Sequence, residues 1–138
     1  MPSAVFDTNV LVSALIRAGK PRELWNMVLD DKVQLVTSIQ LLSEFDEVVS
    51  RPQFSRYIRR TGLMRFRKIL FRNARITRIR SRVDLITEDA DDYAVLEAAY
   101  NGRADYIISG DAHLLKLESY RGVRIVTIDE MLEIVKRA

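Results

Sequence analysis

Short apolar runs alternate along this chain with longer stretches whose apolar residues recur every three or four positions, and the alternation predicts strands separated by helices. Residues 3–6 are an apolar run that ends abruptly in Asp7, and residues 8–17 have the apolar spacing of a helix that Gly19 ends. Pro21 suits the first position of a second helix, whose buried face is Leu24, Trp25, Val28 and Leu29. Residues 33–37 alternate as a strand. Ser38 can then cap a helix over 39–51 with Ile39, Leu42, Phe45 and Val49 on one stripe, widened by Leu41 and Val48, and Glu44 close to its edge. Pro52 stops that helix.

Residues 53–73 are helical and basic, with Phe54, Tyr57, Ile58, Leu63, Phe66, Ile69 and Leu70 as buried positions, and Gly62 predicts a break into two helices. Residues 75–80 alternate Arg-Ile-Thr-Arg-Ile-Arg, a half-exposed strand whose charges suit a protected sheet edge. After an acidic stretch at 87–92, a helix starting near Asp89 runs through Val95, Leu96, Ala98 and Ala99 to Gly102. A strand at 105–109 leads through Gly110 and Asp111 to a short helix, and a strand at 123–127 precedes the last helix at 128–137. Five strands alternating with helices predict an α/β chain: one three-layer α/β/α domain over residues 1–138, with a mostly parallel five-stranded sheet and right-handed crossovers.

Composition is that of an ordinary globular chain, 48% hydrophobic and 30% charged. The absence of Cys excludes disulfides, thiolate metal sites and a Cys nucleophile. No signal segment or apolar span of the roughly 20 residues that cross a bilayer is present, which predicts a soluble, cytoplasmic protein without a membrane partner. Charge changes the picture more. Net charge is +3, yet residues 48–83 hold 12 Arg or Lys and no acid, so this basic helical segment carries +12 and the remainder −9. Within it Arg51, Arg56, Arg59, Arg60, Arg65, Arg67 and Lys68 are candidates for nucleic-acid phosphates. Solvated helix faces and an acidic protein partner are the competing uses. The interleaved Phe54, Tyr57, Phe66 and Phe71 are better explained by burial than by base stacking.

Four carboxylates can reach one end of a parallel sheet: Asp7 after the first strand, Glu44 on the third helix, Asp92 in the first turn of the helix before the fourth strand, and Asp111 after that strand. Each has a structural alternative. Asp7 and Asp89 suit helix caps, Asp91 and Asp92 suit a positive helix end, Asp111 suits a turn after Gly110, and Glu44 suits a solvated face. Clustered, they cannot all stay ionised in a low-dielectric cleft unless cations neutralise them, and an all-oxygen set favours Mg²⁺ or Mn²⁺ over zinc. Two such ions bind a phosphodiester, acidify an attacking water and stabilise the leaving oxyanion, which is nuclease chemistry. His113, the only His, is better explained as a surface residue than as a base.

Val5-Phe6-Asp7-Thr8-Asn9, then Leu41-Leu42-Ser43-Glu44-Phe45, then Asp89-Ala90-Asp91-Asp92, then Ile107-Ile108-Ser109-Gly110-Asp111-Ala112-His113 and finally Val126-Thr127-Ile128-Asp129-Glu130 resemble the PIN domain over essentially the whole chain. The likeness is greatest to small prokaryotic PIN toxins of toxin–antitoxin systems, related to VapC. It implies a magnesium- or manganese-dependent endoribonuclease whose metal-binding and catalytic acids are Asp7, Glu44, Asp92 and Asp111. Asn9 and Ser109 match supporting polar positions, and Asp91 is the reserve for Asp92, chosen by its spacing to Ala98 and Ala99. It further implies RNA as substrate, a homodimer and an antitoxin partner. The alternatives are a catalytically weak RNA- or partner-binding module, and an aspartate-based phosphatase, which would ordinarily have a second acid where Asn9 stands.

Overall fold

The computed structural model describes residues 1–83 and 91–138, and of Asp91 the backbone only. Six strands, β1 (Ser3–Phe6), β2 (Gln34–Thr37), β3 (Arg75–Ile76), β4 (Tyr106–Ile108), β5 (Ser119–Tyr120) and β6 (Val123–Val126), form one sheet in the order β3-β2-β1-β4-β6-β5. All neighbours are parallel except β5 and β6. Among the described residues, eight helices connect and flank them: α1 (Thr8–Ile16), α2 (Lys20–Leu29), α3 (Ile39–Val49), α4 (Pro52–Ser55), α5 (Arg60–Asn73), α6 (Asp91–Asn101), α7 (Ala112–Leu117) and α8 (Ile128–Arg137).

The central strands β1, β2, β4 and β6 are largely apolar on both faces, and their buried side chains alternate between two cores. Ala4, Phe6, Leu35, Ile108 and Val126 pack with α1, α2, α3, α5 and α8, while Val5, Val36, Ile107 and Ile125 pack with α6, Leu41 of α3 and Leu114 of α7. The result is the expected α/β/α arrangement. On the larger side Trp25 stacks on Phe66 at 4.5 Å and Phe45 on Phe66 at 5.7 Å, tying α2, α3 and α5 together. Pairs of this kind add about 0.5–1.5 kcal/mol beyond the area they bury.

The sheet has a sixth strand where five were expected. Arg121 (φ 47°) and Gly122 (φ 86°) are both in the left-handed region, the geometry of a two-residue hairpin turn that folds β5 antiparallel onto β6. A turn read from residue type would be signalled by Asn or Asp where Arg121 stands. Other departures lie in the basic segment. Gly62 sits in the first turn of α5 and breaks nothing; the chain turns at Arg56 to Arg59, where Tyr57 and Ile58 donate backbone bonds to Phe54 and Ser55. Pro52 ends α3 but also opens α4. β3 is only two residues long, although it does lie at the sheet edge.

Ile39, expected in the core stripe, is 60% exposed, because the first residue of α3 points away from the sheet. Burial accounts for Phe66, but not for Tyr57, 72% exposed, or Phe71, 54% exposed. No helix among the described residues is long and apolar enough to cross a membrane.

Candidate active site

The chain passes from β1 outward to β2 and β3, then returns to β4 on the other side of β1, so the direction of strand addition reverses between β1 and β4. At such a switch point the loops leaving the strands diverge and open a crevice at their carboxyl ends. Asp7 and the segment Ser109-Gly110-Asp111 leave β1 and β4 at this place. The two strand ends are held together to their last residue, since the Asp7 N–H donates to the Ile108 carbonyl at 3.0 Å.

Asp7 is also the N-cap of α1. Its carbonyl accepts from Val10 and Leu11, its Oδ1 accepts from the Thr8 N–H at 2.8 Å, and its Oδ2 accepts from the Ser109 hydroxyl at 2.8 Å. Ser109, wholly buried, accepts in turn from the Asp111 N–H at 2.9 Å. One hydroxyl therefore fixes the first acid against the backbone of the last. Asp111 caps α7, its Oδ1 accepting from the His113 N–H at 2.7 Å. The capping alternative for Asp7 thus holds alongside its place in the cleft, and Asp111, expected otherwise as a turn residue after Gly110, is a helix cap as well.

From opposite layers, Glu44 enters half-buried from the middle of α3 and Asp92, 4% exposed, from the start of α6. Asp7, Glu44, Asp92 and Asp111 line one cavity of about 110 Å³, together with Thr8, Asn9, Val48 and Arg51. Asp89 and the side chain of Asp91 lie outside the described residues.

Of the seven basic candidates, Arg51 alone lines this cavity, at the junction of α3 and α4, where it also meets Glu47 at 3.4 Å. Arg67 is engaged by Asp46, through Nη2 at 2.7 Å and Nε at 2.8 Å. Arg65 lines a different depression with Trp25 and Phe66, and Arg56 stands 5.8 Å from the Tyr57 ring. Arg59, Arg60 and Lys68 are exposed.

Sequence reasoning passed over Thr8. Its side chain is buried in the wall of the cavity, and Oγ1 has no hydrogen-bond partner among the described residues. A buried hydroxyl left in this way needs a polar occupant beside it. The residues present fit a hydrated divalent ion on that ground and on their chemistry, since every acidic donor is a carboxylate oxygen. Among the described residues no three acidic or imidazole groups form a ready-made cage.

A family model described as PIN domain matches residues 3–113. The chain belongs to the PIN domain family. The matched span of this PIN domain contains all four acids, Asn9 and Ser109, and stops before the β5–β6 hairpin and α8. In fold the PIN domain is similar to the crystal structure of VapBC2 from Rickettsia felis bound to a DNA fragment from their promoter, with a TM-score of 0.59, 12% identity, and coverage of 91% of this chain and 98% of that one. The VapC-like fold expected from the sequence is thereby present. No curated protein sequence matches the chain.

Proposed function

We propose that this PIN domain is a Mg²⁺- or Mn²⁺-dependent endoribonuclease and the toxin of a toxin–antitoxin pair. The observation that carries the reading is the convergence of Asp7, Glu44, Asp92 and Asp111 on one small cavity at the switch point of the sheet. A divalent ion bound there supplies neutralisation of the phosphodiester charge and an acidified water. The chain's own residues do the positioning. Ser109 and the Thr8 N–H orient the two oxygens of Asp7, and the Ser109 hydroxyl couples that orientation to the backbone of Asp111. Arg51, on the rim of the same cavity, is placed to meet a phosphate held against the acids.

The fold likeness to VapBC2 supports an antitoxin as partner, and the PIN toxins that this chain resembles support RNA as substrate and a homodimer as the working form. The test is cleavage of a mixed RNA by the purified protein with Mg²⁺ or Mn²⁺, beside EDTA and the Asp7→Asn variant. Asn is an equally good helix cap, so the variant stays folded by circular dichroism. Metal-dependent cleavage lost in both controls is the expected outcome. Cleavage that survives Asp7→Asn, or RNA binding with no cleavage under any metal, would overturn it in favour of a binding module.

A further inference from the structure

At the opposite end of the same strands lies a larger cavity of about 760 Å³, between the starts of β1 and β2, the segment after β3 and the end of α6. Arg75, Arg78, Arg80 and Arg103 stand in its wall. We propose that this cavity is a second binding site for the phosphate backbone of RNA, gripping a part of the strand remote from the acids. Its purpose rests on the nuclease reading above; the binding itself does not.

Charge is the first argument. Asp105, the one carboxylate in the wall among the described residues, is engaged by the Ser3 N–H at 2.9 Å and the Ser3 hydroxyl at 3.2 Å. Arg75 donates to the Gly102 carbonyl at 2.7 Å, at the negative end of α6. Arg78, Arg80 and Arg103 make no ion pair among the described residues. Three guanidiniums with no ion pair among the described residues stand around one opening and attract an anion, and their forked donors match phosphate oxygens.

The wall is also held in place. Asn101 Oδ1 accepts from the N–H groups of Arg80 and Ser81, both at 2.9 Å, and its Nδ2 donates back to the Ser81 carbonyl at 2.8 Å. This clamp fixes the arginine-bearing segment to the end of α6 without using an arginine side chain.

Arg103 is placed by the end of the helix. It closes α6 with φ 51°, in the position after the helix where glycine is the natural residue, while the Ala104 N–H bonds back to the Ala99 carbonyl. The backbone at this position thus directs the Arg103 Cα–Cβ bond from the end of α6, and it would accept glycine without strain.

The occupant is a polynucleotide backbone rather than a small phosphate ester. All four arginines are exposed and the wall contains no aromatic ring to sandwich a base. At about 3.3 Å per residue, a four-residue strand sets the two cavities on the order of 13 Å apart. A strand stacked at about 3.4 Å per nucleotide needs more than roughly four nucleotides to touch both.

The test is binding of a fluorescent oligouridylate of about 20 nucleotides to the full chain in EDTA, followed by anisotropy across a salt series. The Arg78→Ala/Arg80→Ala/Arg103→Gly variant should bind at least about tenfold more weakly. Its plot of log affinity against log salt should flatten by about 2, as three lost phosphate contacts predict for single strands. Glycine suits the backbone at 103, and a melting temperature no lower than that of the unchanged chain shows that folding is intact. Unchanged affinity and salt slope would overturn the proposal. So would loss of poly-glutamate binding with oligouridylate binding retained, which would assign the cavity to an acidic protein segment. Because binding is read without metal, a wild-type chain that binds but never cleaves removes the nuclease reading and leaves this one, and the reverse result does the opposite.

Discussion

Asp7 shows how one residue serves the fold and the site with the same atoms. Its carboxylate satisfies an orphan N–H at the start of α1, which makes it a cap, and the cap orients it across the switch point toward Ser109. Ser109 is the more exposed to failure. Its hydroxyl is buried between Asp7 Oδ2 and the Asp111 N–H, so Ser109→Ala strands an acceptor and a donor together. The expected loss is about 1–3 kcal/mol of stability, measured by urea denaturation. A roughly 10–100-fold rise in the Mg²⁺ concentration needed for cleavage should accompany it, because the groups that orient ligand carboxylates act at about that scale. The Asp7 and Ser38 caps were legible because each is a short-range match of residue type to an adjacent apolar helix, whereas Asp111 was read as a turn residue and caps α7. The Thr8 hydroxyl, without a hydrogen-bond partner among the described residues, was not legible, because burial depends on how the rest of the chain packs around it.

Among the elements, the end of α6 carries the clearest conflict between local preference and packing. Gly102 reads in sequence as a helix stop, yet the left-handed residue is Arg103. Gly102 is needed for a different reason: a Cβ there would stand 2.6 Å from Val36 Cγ1 and 2.7 Å from the Ala98 carbonyl oxygen. Gly102→Ala should therefore destabilise by about 1–3 kcal/mol, the usual cost of forcing atoms into a packed interior. Arg103→Gly should stabilise by about 1 kcal/mol, the relief of a left-handed non-glycine residue less the entropy that glycine adds to the unfolded chain. Paired denaturation curves check both signs at once. Gly62 and the Arg121-Gly122 turn carry the same lesson, since a glycine marks conformational freedom and the surrounding structure decides whether it is used.

For the whole molecule, the order of strands brings carboxylates from four separated stretches to one end of the sheet and arginines to the other. Segregating charge in this way puts mutual repulsion at the acidic end that a bound cation relieves. Mg²⁺ at about 100 times its dissociation constant should add about 2.7 kcal/mol to stability. A thermal melt should show this as a rise of several degrees that NaCl at equal ionic strength does not reproduce and that Asp7→Asn loses. An equal rise in the variant would place the ion elsewhere.

The sequence alone determined the alternation of strands and helices, the caps, the parallel α/β class and the order of the four acids, because each depends on residues near one another in the chain. Tertiary structure alone decided that Arg51 lines the acid cavity while Arg67 is taken by Asp46, that Ile39 faces outward, and that β5 folds back on β6. It alone gathered Arg75, Arg78, Arg80 and Arg103 around one opening. Periodicity identifies which face of an element is apolar; which distant residues meet across that face depends on how the packed layers close, and no local pattern carries that information.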